Sequence, residues 1–466
     1  MSVYDELKPL FSPKTIAVIG ASEKEGSLGR AIMNNLLSIK FPGKIYPINI
    51  KGDTCFGLKM YRSVLDVDGK IDLAIIIIPA RAVPTVLEEC VKKGVKSAII
   101  ISAGFSETGE EGKKLEEKVL SIAREGNIRV LGPNCLGIYN PRSKIDLIFN
   151  PPDRQQKPGP GKIAFLSQSG AFGAAILDFM AEENIGISSF VSYGNAMDIT
   201  ESTLLEYFAE DPETSVITMY IEGVKDGRAF VEVAKRVVPK KPIIVLKAGR
   251  TEAGARAAKS HTGSLAGADA VYDAAFRQLG IIRAISMDDL FIKAKALSLQ
   301  PPAKGDRIAI VTNGGGVGVM ASDAIELEGM KVAELSSETI KKLKEVLPPH
   351  ASPYNPIDIL GDADYIRYSN ATKLALSDPN VDGVIVLIIP QSPALEHQKL
   401  VESLVDIIKS QEKPVTIAIP GGDISKRVSE EFEKHEIPTY KTPEDAVMAM
   451  KALVLYGYAL KKYGLL

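Results

Sequence analysis

Short runs of β-branched and apolar residues return along the whole chain, with helix-patterned stretches between them. In the first third these runs are "TIAVIG", "KIYPIN", "LAIIII", "SAIIIS" and "RVLG", separated by stretches such as "AIMNNLLSI" and "AVPTVLEECVKKG". Strands apolar on both faces need cover on both faces, so this alternation predicts parallel sheets flanked by helices, an α/β class. At 466 residues the chain is too long for one core, and about 150 residues per domain suggests about three. Pro/Gly-rich polar stretches punctuate it. "YNPRSKIDLIFNPPDRQQKPGPGK" reads as a linker closing the first module, and "PPAKGD" closes the second, which predicts modules at 1–150, 151–300 and 301–466.

The second and third modules open alike. "KIAFLSQSGAFGAAILD" (162–178) lies over "RIAIVTNGGGVGVMASD" (307–323) without a gap, and "KKPIIVLKAG" is echoed by "EKPVTIAIPG". The period is too long for a solenoid and indicates a duplicated flavodoxin-like domain, each copy an open, doubly wound parallel sheet. The copies then diverge. After "KAGR" the first inserts "AAKSHTGSLAGADA" (257–270), whereas the second runs almost directly into "DISKRVSEEFEKH". Of four histidines, His350, His397 and His435 sit beside prolines or in charged helix-like stretches. His261 alone sits among residues too small to pack it. A surface insertion without a role is tolerated cheaply, but a reactive group on an arm also needs this composition.

Composition removes several classes. The formal net charge of −2 offers no general attraction to nucleic acid or membrane, and the absence of Trp argues against a stacking platform. Cys55, Cys90 and Cys135 are far apart and lack CxxC spacing, which argues against a zinc site or disulfides and for a reducing compartment. "MSVYDELKPLFSPKT" has no signal-peptide pattern and no apolar run is long enough for a bilayer, so a cytoplasmic location without a metal centre is expected.

"TIAVIGASEKEGSLGR" takes a strand through a glycine turn into a helix, a place for backbone N–H groups to meet a phosphate. The spacing Gly20, Gly26, Gly29 is not G-x-G-x-x-G, and the second strand ends in Asn49 and Lys51 rather than the acid that binds the ribose of NAD. A lysine there suits a nucleotide with an extra phosphate such as coenzyme A; a similar turn without ligand is the alternative. "SAGFSETGEEG" offers small polar residues, or simply a capped loop. "LGPNCLG" brings Pro133, Asn134 and Cys135 to the edge where such sheets bind ligands, Cys135 reading as a packed thiol. "LSQSGAFG" and "VTNGGGVG" each place small residues at a helix start, suited to a phosphoryl group or to close helix–strand packing. Glu222 ends a strand of the second module where the third has Pro390, so the fold does not require a carboxylate there. A carboxylate can hold one imidazole nitrogen while the other attacks phosphorus.

With these residues in place, the chain resembles the α subunits of ADP-forming acetyl-CoA synthetases, in the NDP-forming acyl-CoA synthetase superfamily that includes succinyl-CoA synthetase. The resemblance rests on "AVIGAS", "GPNCLG", "LSQSGAFG", "YIEGVKDGR", "KSHTGSLAG" and "TNGGGVG", in that order over essentially the whole chain. It implies a Rossmann-like CoA-binding domain followed by two flavodoxin-like ligase domains. His261 would be the phosphorylated residue and Glu222 its support. CoA would meet Gly20, Ala21, Ser22, Lys51, Asn134 and the loop of Ser102, Ala103, Gly104, Phe105, Ser106 and Glu107. Phosphate would meet Ser169, Gly170 and Ala171, with Gly314, Gly315 and Gly316. The chain shows no Walker A motif, so ADP or ATP with Mg²⁺ would bind mainly on an ATP-grasp β subunit, in an α2β2 assembly acting on a small acid and phosphate. A nicotinamide oxidoreductase and a non-catalytic CoA-binding regulator are the competing readings.

Overall fold

The computed structural model describes residues 2–256 and 269–466. The chain divides into two compact units, Met1–Arg283 and Ala284–Leu466. Among the described residues no helix is long and apolar enough to cross a membrane.

The first unit holds two sheets. One is built from β1 (Thr15–Ile19), β2 (Lys44–Ile48), β5 (Leu73–Ile76), β6 (Ser97–Ile100) and β7 (Arg129–Leu131), with the small hairpin β3 (Thr54–Cys55) and β4 (Leu58–Lys59) outside it. Its order is β2-β1-β5-β6-β7 and its pairings are parallel. Every residue of β5 and β6 is buried, as strands covered by helices on both faces must be. The second sheet contains β8 (Gly137–Asn140), β9 (Ile145–Asp146), β10 (Pro160–Ser167), β11 (Ile187–Ser192), β12 (Val216–Ile221), β13 (Ile243–Lys247) and β14 (Ile282–Ala284), in the order β14-β13-β12-β10-β11-β8-β9. The second unit holds β15 (Arg307–Thr312), β16 (Lys331–Val332), β17 (Ile357–Asp358), β18 (Gly383–Leu387), β19 (Val415–Ala418) and β20 (Thr439–Tyr440), in the order β16-β15-β18-β19-β20, with β17 beside β15. Leaving aside β8, β9 and β17, the strands of each sheet taken in chain order run second, first, third, fourth, fifth. This is the flavodoxin-type doubly wound order, expected from the sequence for the second and third modules and found also in the first, which was expected to be Rossmann-like.

The duplication is visible in register. Ser167 pairs with Tyr220 at the end of the first copy, and Thr312 with Leu387 at the end of the second. The helices that follow, Gly170–Glu182 and Gly315–Leu327, have the same length. Helix Gly227–Val237 illustrates how the covers form. Asp226 caps it through the Arg228 and Ala229 N–H groups, and Phe230, Val233, Ala234 and Val237 recur on its buried face.

The stretch read as a linker is packed. Strands β8 and β9 extend the second sheet in antiparallel fashion, Phe190 pairing with Tyr139. Tyr139 donates to the Pro158 carbonyl at 2.9 Å and Gln155 to that of Ala174 at 2.7 Å. Lys157 and Asp146 form a buried ion pair at 2.5 Å. Its proline and glycine content misleads because the side chains between them carry the contacts. Burial pushes the Asp146 carboxyl up and the Lys157 amine down, and each partner's charge opposes this. Breaking one side leaves an unpaired buried charge. Lys157→Ala is therefore expected to cost about 3–5 kcal/mol in urea unfolding, and the paired change Asp146→Leu with Lys157→Met much less. A loss below about 1 kcal/mol for the single change would show that water reaches Asp146.

Candidate active site

In open α/β sheets ligands bind beyond the carboxyl ends of the strands, where the strand order reverses. In each sheet this is the crevice between the first and third strands of the module, and the singled-out turns lie there.

At the first sheet, packing explains the glycine spacing. Gly20 has φ +98°, and a Cβ there would lie 2.2 Å from the Ile77 oxygen. A Cβ on Gly29 would lie 2.1 Å from the Gly20 oxygen, so helix Leu28–Ser38 seats directly on the turn. The Gly20 and Ala21 N–H groups both donate to the Ile48 carbonyl, at 2.9 and 3.3 Å. These two N–H groups are therefore bonded within the sheet rather than turned outward. Ser22 is half-buried and its hydroxyl accepts from the Lys24 N–H at 3.0 Å. Asn49 donates to the Ala21 carbonyl at 2.9 Å, and Lys51 stands exposed beside it.

The 102–107 loop also turns its N–H groups inward. Glu107 Oε1 accepts from the Gly104 and Phe105 N–H groups at 2.5 and 3.1 Å, and Glu116 accepts from the Ser106 N–H at 3.2 Å and its hydroxyl at 2.6 Å. Ser102 donates to the Ile78 carbonyl, and Phe105 is fully buried, with no side-chain surface for a ligand. Ala103 is exposed, as is Asn134, whose backbone sits at φ +57°. Cys135 is buried and donates to the Ile100 carbonyl at 3.4 Å; burial pushes its thiol up to about 12, so it is a packed group.

Asn195, from the loop after β11, joins this cluster to the second module. Its amide donates to Ser106 at 3.1 Å, Glu107 at 2.6 Å and Glu116 at 2.9 Å. Lys225 lies 3.9 Å from Glu116, three residues beyond Glu222.

Glu222 is buried, 6% exposed, at the end of β12. Four successive N–H groups from this point donate to side chains. Those of Glu222 and Gly223 reach Gln168 Oε1 at 2.6 and 3.1 Å, that of Val224 reaches the Tyr272 hydroxyl at 3.2 Å, and that of Lys225 reaches Glu201 Oε1 at 3.3 Å. Glu201 is buried, and burial raises its carboxyl pKa. Tyr193 is fully buried, and its hydroxyl is raised well above its ordinary value by burial, then by the charges of Glu201 and Glu222. Lys247, only 1% exposed at the end of β13, lies 4.8 Å over the Tyr272 ring and donates to the Ala248 carbonyl. Burial lowers its pKa, with Asp269 and Glu222 opposing.

Strand register corrects the equivalence drawn from sequence. With Tyr220 matching Leu387, Glu222 matches Ile389 rather than Pro390. The carboxylate is still replaced by an apolar residue.

At the two small-residue turns, packing accounts for some glycines only. A Cβ on Gly173 would lie 2.6 Å from the Phe190 ring, and one on Gly318 3.1 Å from Thr312. At Gly314 and Gly315 the nearest atoms stand at 3.2 Å, belonging to Ile389 and Asp358. Gly170 meets nothing closer than 3.4 Å, and nothing lies within 4 Å of Gly316. Open space at helix starts suits an anion next to backbone N–H groups. Ser169 caps the first helix through the Phe172 N–H at 3.3 Å, with Ala171 exposed beside it; Gly314 caps the second with no side-chain bond. His261 lies outside the described residues, and Tyr272 is in the helix that follows, Asp269–Leu279.

Sequence reasoning did not single out Gln168, Asn195, Glu201, Lys247 or Tyr272. Gln168 carried a signal: in the gapless overlay of the copies it falls on Asn313, a second side-chain amide. The others are brought in by the fold from separate elements.

Comparison with known proteins covers the chain in three parts. A CoA binding domain matches residues 14–141, a succinyl-CoA ligase like flavodoxin domain 160–297, and a ligase-CoA domain 308–460. The chain is 46% identical to the acetate–CoA ligase [ADP-forming] I subunit alpha of Pyrococcus furiosus, over 96% of this chain and 97% of that one. It is 47% identical to the acetate–CoA ligase [ADP-forming] of Methanocaldococcus jannaschii, over 98% of this chain but 64% of that longer one. Among solved structures, the dinucleotide forming acetyl-coenzyme A synthetase 1 of Ca. Korarchaeum cryptofilum, in complex with phosphate and ADP, superposes with a TM-score of 0.90 at 43% identity, covering 98% of each chain.

The Glu107 cluster has a pH signature. Burial alone would raise this carboxyl, but the bonds from Asn195, Gly104 and Phe105 outweigh it and hold the pKa below its ordinary value. Its stabilisation is then full above the ordinary carboxylate range and lost as pH falls through the lowered value. Wild type is expected to exceed Glu107→Gln in urea stability at neutral pH, with the gap closing below about pH 4. A gap unchanged on acidification would contradict this.

Proposed function

The chain belongs to the ADP-forming acetate–CoA ligase family, and from that premise we propose that it is the α subunit of an NDP-forming acyl-CoA synthetase. The observation that carries this reading is Glu222, a buried carboxylate held at the switch point of the second sheet, where the duplicated copy has Ile389. The fold has no need of it, so a reaction must.

The reaction joins acyl-CoA, phosphate and ADP to give the acid, CoA and ATP, reversibly. A phosphate oxygen attacks the thioester carbonyl, the C–S bond breaks, and CoA leaves as a thiol after taking a proton. The acyl phosphate then gives its phosphoryl group to a nitrogen of His261; the P–O bond breaks and the carboxylate leaves. The Glu222 carboxylate accepts the other imidazole N–H and stabilises the charge on the ring as the N–P bond forms. ADP finally takes the phosphoryl group from His261, breaking the P–N bond. The first-turn N–H groups at Gly170 and Gly316 offer places for a phosphoryl group without a permanent cation.

CoA fits the carboxyl edge of the first sheet. Lys51, Ala103 and Asn134 are exposed there, Ser22 is half-exposed, and the inward-turned loop around Glu107 leaves a preformed wall. Nucleotide and Mg²⁺ are assigned to a separate ATP-grasp β subunit in an α2β2 assembly, in a cytoplasmic setting. The relative from P. furiosus is itself named a subunit alpha, and the M. jannaschii chain extends well beyond the region matched here.

Incubation with the cognate β subunit, Mg²⁺ and ATP is expected to give an acid-labile, alkali-stable phosphoryl adduct by intact mass, absent in His261→Ala. No adduct with a β subunit shown to bind ATP would reject the relay and leave a CoA-binding protein. Lys51→Gln is expected to weaken CoA binding about tenfold by calorimetry, as for one lost charge-assisted bond, with the adduct from ATP unaffected. An unchanged Kd would remove Lys51 from the site.

A further inference from the structure

The end of β12 poses a hydrogen-bonding problem that the sheet does not solve. The ladder between β10 and β12 stops at the pair Ser167 and Tyr220, because the chain leaves β10 and enters helix Gly170–Glu182. The N–H groups of Glu222 and Gly223 therefore have no strand carbonyl on that side. Gln168 supplies the missing acceptor: one side-chain oxygen takes both, at 2.6 and 3.1 Å, while its own N–H donates to the Tyr220 carbonyl at 3.1 Å.

The other copy repeats the device. The β15 and β18 ladder stops at Thr312 and Leu387. Asn313 Oδ1 accepts from the Ile389 N–H at 2.9 Å, and its amide donates to the Ile389 carbonyl at 3.0 Å. The residue before each amide also matches: Ser167 donates to the Ser169 carbonyl at 2.6 Å and Thr312 to that of Gly314 at 3.0 Å. Two copies differing in most side chains thus share an amide that adds one rung to the ladder. What differs is the residue clamped, a carboxylate in one and isoleucine in the other.

We propose that Gln168 is a positioning residue for phosphoryl transfer, fixing the backbone of Glu222 so that its buried carboxylate is held on the reacting side. The inference rests on the phosphoryl-relay reading above. Without the clamp, the chain from 222 onward keeps the backbone bonds of Val224 and Lys225, to Tyr272 and Glu201. An ionised carboxylate at a loosened strand end turns toward water, because burial disfavours it unless it is held. A misplacement of about 1 Å at a reacting group costs transfer about 10- to 100-fold.

The test is a double-mutant cycle on single-turnover phosphorylation of the α chain by ATP and the cognate β subunit. It uses Gln168→Met, which keeps the volume but removes the acceptor, together with Glu222→Gln and the double variant. Gln168→Met is expected to lower the transfer rate about 10- to 100-fold, with the KM for ATP unchanged. In the Glu222→Gln background the same change is expected to cost less than about twofold, because the group it positions is gone. Equal losses in both backgrounds would mean that Gln168 acts on the fold generally, and would overturn the inference. Phosphorylation of wild type with no loss in Gln168→Met would overturn it as well, leaving the relay intact. Absence of phosphorylation in wild type would overturn the relay and the inference with it. If thermal melting shows that Gln168→Met does not fold, Gln168→Asn, the amide found in the other copy, carries the same cycle with a smaller loss.

Discussion

A parallel sheet that reverses its strand order must end two neighbouring strands side by side with their last N–H groups unpaired. Leaving such groups buried and unbonded costs about 1–3 kcal/mol each, so this edge has to be closed by something other than the ladder. At the ends of β12 and β18 side chains close it, and at β1 a backbone carbonyl does. Gln168 caps the end of β12, Asn313 that of β18, and the Ile48 carbonyl takes the two turn N–H groups at β1. The consequence reaches beyond stability. A strand end held by a side chain points in one direction, and in the second sheet the residue so held is Glu222.

The same principle joins the two sheets of the first unit. Glu107 and Glu116 turn the 102–107 loop inward, and Asn195 binds both carboxylates and Ser106. From Glu116 the cluster reaches Lys225 at 3.9 Å, and the Lys225 N–H returns to Glu201. The loop proposed to face CoA and the loop carrying Glu222 are therefore neighbours through a few polar side chains. The proposed chemistry, from a CoA thioester to an imidazole, needs the two ends of its path held in fixed relation. Much of the polar material at this junction is committed to that geometry, the exposed Asn134 included through its amide bond to Asn195 at 3.3 Å, with Lys51 left outward.

Much of this was legible in the chain itself. Apolar runs at strand spacing yielded the three doubly wound sheets, and the gapless overlay of 162–178 on 307–323 anticipated helices of equal length at equal register. Glu222 stood out because its counterpart lacked a carboxylate. The offset between Pro390 and Ile389 arose because the overlay covered only the first strand and helix, while the third strand carries its own register. The glycine turn at Gly20 fits a phosphate cradle or a ligand-free turn by its sequence, and in the fold the Gly20 and Ala21 N–H groups donate to Ile48; acceptor direction is set by a strand more than twenty-five residues away in sequence. Proline and glycine at 151–160 suggested a loose linker, whereas the intervening Gln155 and Lys157 pack it. Lys247 could not be told from an ordinary strand-end lysine until Tyr272 and Glu222 were brought around it.

The claim that the Glu222 strand end is clamped by a side chain can be tested without any substrate, by amide hydrogen exchange followed by mass spectrometry on peptides spanning 219–227. Wild type is expected to protect the 222–225 amides well above the level of an exposed loop, and Gln168→Met to speed exchange at 222 and 223 by about tenfold or more while core strands stay unchanged. Exchange in wild type at the rate of an open loop, or no change at these amides in the variant, would contradict the account.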